Sequence, residues 1–153
     1  MRWIKSPSAL NWYAAAVEFT EAIRNAVHMV KMAGTVLIVD DDAAVRSALK
    51  FALEVEGLIV RLYDGPAALL ADGDLPGSGC LVVDYRMPGM DGLQLVEALR
   101  ARAVALPVIL ITGRANKQLR RFAEKSGISY VLEKPLSDGA LVESIHSALA
   151  ACD

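Results

Sequence analysis

A doubly wound α/β domain, a parallel sheet covered by helices on both faces, is the fold class that this sequence predicts, with one extra helix at its N-terminus. Three observations carry the prediction. From Gly34 onward a short apolar run, a turn and a helical pattern recur five times. Two of those runs, 36–39 and 108–111, are apolar without alternation, the mark of a strand covered on both faces. The 153 residues are 54% hydrophobic but only 6% aromatic, so the apolar content is mostly Ala, Leu and Val, suited to helices on an aliphatic sheet.

The elements follow in order. Residues 8–31 read as one amphipathic helix: Tyr13, Ala16, Val17, Thr20, Ile23, Val27 and Val30 recur at spacings of three and four, while Glu18, Glu21, Arg24, Asn25 and His28 lie off that stripe. Ser8 stands where it can cap the helix. The stripe needs a cover, either the rest of the chain, a copy of itself in a homodimer, or a partner; the alternative is that Met32 is the native start. Strands are expected at Thr35–Val39, 58–62, 80–83, 108–111 and 130–132, and helices at 43–56, 66–72, 92–102, 115–126 and 138–150. Gly57 and Gly127 sit where helices should stop, and Ser137 stands ready to cap the last one. A boundary at Ala33-Gly34 divides the chain into an extension, 1–33, and a domain, 34–153. The extension carries four basic and two acidic residues, the domain twelve and sixteen, giving the whole a formal charge of −2.

That balance is too even to predict nucleic-acid binding. Mean hydropathy is +0.36, yet no apolar run reaches the roughly 18 residues that span a bilayer, so no membrane insertion is expected. The N-terminus has no cleavable secretory pattern. Cys80 and Cys152 form no close motif, which excludes a disulfide scaffold and favours a reducing, cytoplasmic setting. Cys80 reads as a small core residue and Cys152 as exposed. His28 and His146 have no third ligand in view.

In such a sheet, ligands bind beyond the carboxyl ends of the strands, where strand order reverses. Strand one ends in Asp40-Asp41-Asp42, strand three in Asp84, strand four in Thr112-Gly113 and strand five in Glu133-Lys134-Pro135. Taken singly, each is ordinary: Asp42 as a helix cap, Thr-Gly as a turn, Lys-Pro as a loop. Together at the ends of four strands they make a site. Asp40, Asp41 and Asp84 repel one another, and the usual remedy is a hard cation with oxygen ligands, for which Mg²⁺ suits one or two carboxylates, a carbonyl and water. Lys134 adds an ammonium and Thr112 a hydroxyl. A carboxylate in that company is suited to accept a phosphoryl group, with Asp84 as nucleophile.

These residues resemble the response regulator receiver domain of two-component signalling. The signatures are Val36-Leu37-Ile38-Val39-Asp40-Asp41-Asp42, then Val83-Asp84-Tyr85-Arg86-Met87-Pro88-Gly89-Met90-Asp91-Gly92, then Ile111-Thr112-Gly113, then Glu133-Lys134-Pro135-Leu136. The likeness runs from about Thr35 to Leu149, and the expected strand order is the flavodoxin-like 2-1-3-4-5. The resemblance implies that Asp84 takes phosphate from the phosphohistidine of a histidine kinase or phosphotransfer protein. It implies that Asp41, Asp84 and the Arg86 carbonyl ligate Mg²⁺, and that Asp40 holds metal-bound water. Thr112 would bond a phosphoryl oxygen and Lys134 pair with it. Pro88 and Gly92 would shape the loop, one fixing φ and the other permitting an unusual φ. In one respect this chain departs from the family. Receivers usually carry Tyr or Phe three residues before the lysine, and here that position is Val131, with Tyr130 one residue earlier. Strand alternation sends adjacent side chains to opposite faces, so the expectation is that the aromatic switch is absent, unless a bulge re-aims Tyr130.

The sequence stops at Asp153, soon after the last helix, and the expectation is a stand-alone receiver signalling by contact or acting as a phosphate relay or sink. Its surface for a downstream protein is expected on helix 115–126, where Arg114, Lys117, Arg120, Arg121 and Lys125 face Glu124 alone; nucleic acid is disfavoured by the acidic domain. Three other readings compete. A haloacid-dehalogenase-like Mg²⁺ phosphatase needs a final residue after Asp40-Asp41-Asp42 that this chain lacks. A flavin carrier needs hydroxyls and amides where three aspartates stand. A non-phosphorylated scaffold is at odds with intact Asp84, Thr112 and Lys134.

Overall fold

In the computed structural model the described residues are 9–32, 34–137 and 139–151. Ser8, Ala33 and Cys152, each given a role above, lie outside them. Two units are distinguished, Met1–Ala33 and Gly34–Asp153. In the first, the predicted amphipathic stretch is a single helix, α1 (Ala9–Met32).

The second unit alternates strand and helix throughout: β1 (Thr35–Val39), α2 (Ala43–Val55), β2 (Ile59–Tyr63), α3 (Pro66–Ala71), β3 (Cys80–Asp84), α4 (Gly92–Ala101), β4 (Val108–Thr112), α5 (Lys117–Lys125), β5 (Tyr130–Glu133) and α6 (Ala140–Ala150). All strands pair in parallel in the order β2-β1-β3-β4-β5, as the flavodoxin-like arrangement requires. The order reverses between β1 and β3, and the crevice above that pair is the topological switch point.

Alternation along the strands builds two cores. Leu37, Val39, Leu81, Val83, Val108 and Leu110 face one side and meet Leu69 of α3, Leu95 and Leu99 of α4 and Leu119 of α5. Val36, Ile38, Cys80, Val82, Ile109 and Ile111 face the other and meet Leu53 of α2 and Leu141 and Ile145 of α6. Both faces of the central strands are therefore dry, which is why their sequences lack alternation.

Several element ends move by one or two residues, and three differences have a visible cause. β2 runs one residue later than 58–62, because the N–H of Leu58 is bonded to the carbonyl of Leu53 and so closes the end of α2, while Tyr63 pairs with Val39. Helix α5 starts later than 115, because the side chain of Asn116 accepts from the N–H of Leu119 and caps it. Ser137 does not cap α6. The cap position is Gly139, at φ +82, where a side chain is strained, and Ser137 contributes its backbone carbonyl to the N–H of Ala140.

Candidate functional site

Each polar station emerges where an apolar strand ends. The ladder continues past the strands and fixes the exits: the N–H of Asp40 bonds the Tyr63 carbonyl at 3.3 Å, that of Tyr85 the Ile111 carbonyl at 2.8 Å and that of Lys134 the Thr112 carbonyl at 2.8 Å. Asp40 and Asp84 are buried and Asp41 is exposed. Each offers a carboxylate oxygen within 4.8 Å of the others. The ammonium of Lys134 donates to Asp84 Oδ1 at 3.3 Å. Four of the residues predicted for the site thus meet.

Local chemistry holds the first loop. Asp42 caps α2, accepting from the N–H groups of Ala44 and Val45 at 2.9 and 3.2 Å. Its own N–H donates to Asp40 Oδ1 at 2.8 Å. Arg46, on the first turns of α2, donates to the Asp40 carbonyl at 2.7 Å. Sequence reasoning missed Arg46, since a guanidinium tying down a backbone oxygen leaves no motif. Asp40 pays electrostatically for its place. Burial, the largest cause, and the charges of Asp84 and Asp41 hold its carboxyl above the ordinary aspartate range, against the opposing pull of the Asp42 N–H and of Lys134. A buried carboxylate crowded by two others is a donor set for a hard divalent cation, and Mg²⁺ fits it.

The loop after Asp84 departs from expectation in one respect. Gly92 does not supply the unusual φ; Gly89 does, at φ +83 with open space around it. Gly92 is required by close approach. A Cβ there would lie 2.7 Å from Leu110 Cδ1 and 2.9 Å from the Asp84 carbonyl oxygen. Asp91 caps α4 in a reciprocal box with Gln94.

Thr112 is buried and on the other side of the sheet. Its hydroxyl donates to the Arg114 carbonyl at 3.2 Å and accepts from the Arg114 N–H at 3.3 Å. The register of β5 against β4 is unbroken, Ile109 opposite Tyr130 and Leu110 opposite Val131, so no bulge intervenes. Val131 packs in the first core, and Tyr130, 37% exposed, belongs to the opposite face from Thr112. The aromatic switch position is therefore filled by valine, and Tyr130 does not replace it.

Comparison with known proteins agrees with this geometry. The chain matches the response regulator receiver domain over residues 36–146. It is 41% identical over 112 residues to the transcriptional regulatory protein FixJ of Azorhizobium caulinodans, covering 73% of this chain and 53% of that one. It is 42% identical over 122 residues to the C4-dicarboxylate transport transcriptional regulatory protein DctR of Rhodobacter capsulatus, covering 78% and 62%. The chain thus spans between about half and three fifths of the length of these relatives. Among solved structures, that of FixJ-N superimposes with a TM-score of 0.70 at 36% identity, covering 76% of this chain and 94% of that one. With its parallel sheet, its acidic crevice and its lysine in register, and with this match over most of its length, the chain belongs to the response regulator receiver family.

Proposed function

We propose that this receiver accepts a phosphoryl group on Asp84, from the phosphohistidine of a histidine kinase or phosphotransfer protein, with Mg²⁺ bound. Receivers of this family interact with such donors and are generally non-enzymatic signalling domains. One observation carries the reading: three carboxylates within 4.8 Å of one another, with the Lys134 ammonium 3.3 Å from that of Asp84. An Asp84 oxygen attacks phosphorus, the O–P bond forms, the P–N bond breaks and the imidazole leaves with its electron pair. Asp41, Asp84 and the Arg86 carbonyl would hold Mg²⁺ directly and Asp40 through water, and the bound ion would supply charge neutralisation. Lys134 pairs with the phosphoryl oxygens, and Thr112 leaves the Arg114 backbone to bond one of them.

The basic helix α5 is the proposed side for a downstream protein, and the stripe of α1 the surface for a second copy. The experiment is incubation of the full chain with Mg²⁺ and acetyl phosphate, read by intact mass. One phosphoryl group is gained by the native chain and none by Asp84→Asn. Uptake that persists in Asp84→Asn refutes the assignment.

A further inference from the structure

Helix α1 makes up most of a unit of its own, Met1–Ala33, and its pattern says what kind of surface covers its stripe. Tyr13, Ala16, Thr20, Ile23, Val27 and Val30 are spaced 3, 4, 3, 4 and 3, the alternation of a heptad repeat. A face shaped to a globular core follows the roughly 3.6 residues per turn of a straight helix, whereas a strict heptad stays in line only when two helices wind around each other. At about 1.5 Å per residue, the 24 residues of α1 carry that seam along about 36 Å. The exposed apolar side chains agree with it: Tyr13 and Ile23 lie on the seam, and Trp12, Val17 and Phe19 flank it. The hydroxyl of Thr20 donates to the Ala16 carbonyl at 2.8 Å, so this residue enters a dry seam with its hydrogen already bonded. Glu18, Glu21 and Asn25 fall on the far side. Two acids there disfavour a lipid surface as the cover, since helices lying on membranes have a basic polar face.

We infer that α1 pairs with α1 of a second copy as a parallel two-stranded coiled coil, with Tyr13, Thr20 and Val27 at a positions and Ala16, Ile23 and Val30 at d positions. The inference deepens the reading of the α1 stripe given above and does not depend on phosphoryl acceptance at Asp84. The flanks select the direction. In parallel register a g residue meets the e residue five places further along the other helix. That sets Trp12 against the partner's Val17 and Phe19 against the partner's Arg24, the second a cation over an aromatic ring. The β-branched Thr20 and Val27 at a suit two strands. Only residues 33 and 34 stand between α1 and β1, so parallel pairing sends both receivers out of the same end. Each then meets the other at an effective concentration on the order of millimolar. The helix is a standing tether: it brings two receivers together before any phosphoryl group arrives, and contacts too weak to form between free domains form within the pair.

The test is made on the full chain, without Mg²⁺ or phosphoryl donor, by analytical sedimentation and thiol cross-linking. The native chain should sediment as a dimer that dissociates on dilution, and Ile23→Glu should weaken that association about tenfold or more. Cross-linking is done in a Cys152→Ser background. Under oxidation Ala16→Cys should form a disulfide-linked dimer, because a d residue faces its own counterpart in parallel register. Glu18→Cys, on the far side, and the background alone should not. A chain still monomeric at millimolar concentration, or a dimer undiminished by Ile23→Glu, overturns the pairing of α1. A dimer that Ile23→Glu breaks but Ala16→Cys does not lock overturns the parallel register. Phosphoryl uptake from acetyl phosphate with Mg²⁺, read by intact mass on the same preparations, should be the same in the native chain and in Ile23→Glu, so that failure at Asp84 and failure of the pairing are read separately.

Discussion

Changing Asp40 to Asn should stabilise the protein in the absence of divalent cations and weaken its response to them by about tenfold or more in metal affinity. The carboxylate oxygens of Asp40, Asp41 and Asp84 lie within 4.8 Å, where two unit charges at an effective dielectric of about 20 repel by about 3.5 kcal/mol. Lys134, 3.3 Å from Asp84, offsets a good part of that repulsion. An Asn Oδ1 keeps the 2.8 Å bond from the Asp42 N–H, so the change removes charge with little change of shape. The net gain is about 1–2 kcal/mol, a rise in Tm of roughly 3–10 °C. The sign has a pH signature. Because the folded-state pKa of Asp40 is raised from 3.8, protonated Asp40 favours the fold, and that advantage is lost as pH rises through the folded value. The variant's lead should therefore be full near neutrality and close on acidification toward the ordinary aspartate range. Thermal unfolding in EDTA and then in Mg²⁺ checks both halves. Mg²⁺ should raise the Tm of the native chain, and that of the variant by less at the same concentration. A variant less stable than the native chain in EDTA, or one with an equal Mg²⁺ response, refutes the reasoning.

Two further outcomes follow from the loops. Gly92→Ala places a methyl against the Asp84 carbonyl and Leu110 and should cost about 2 kcal/mol or more, whereas Gly89→Ala meets open space and only the strain of φ +83, about 1 kcal/mol; urea midpoints in the reverse order would sink this account. Asp72 is held below its ordinary 3.8 first by the Tyr63 hydroxyl and then by the Asp74 N–H. It contributes stability above that value that disappears as pH falls through the depressed one. Acid titration of unfolding should show the native chain's lead over Asp72→Asn shrinking below about pH 4, and a lead independent of pH would contradict it.

How far the sequence told this story depends on the kind of force involved. Residues 35–39 read as a strand and fold as one, because burial on both faces leaves an uninterrupted apolar run. The acidic crevice was legible for the same reason: each polar station directly follows such a run, and parallel topology carries all run ends to one edge. What stayed hidden were contacts made across the chain. Arg46 bonds a backbone oxygen, and any helix could carry that arginine. The reason for Gly92 lies in the atoms of Leu110 and Asp84, visible only once α4 is seated. Ser137 has the right chemistry for a cap, yet the chain turns through Gly139 instead.

The sheet is also a partition. Along the strands and one residue beyond β1 and β3, Asp40 and Asp84 share the parity of Ile38 and Val82, on the side of α2 and α6, while Thr112 and Tyr85 share that of Leu110 and Val83, on the side of α4 and α5. The carboxylates and the proposed contact surface on α5 thus lie on opposite faces of the sheet. On the proposed reading, substitutions on the outer side of α5 change recognition while the acidic crevice is kept. Thr112, buried and bonded to the Arg114 backbone, ends its strand on the α4 and α5 side.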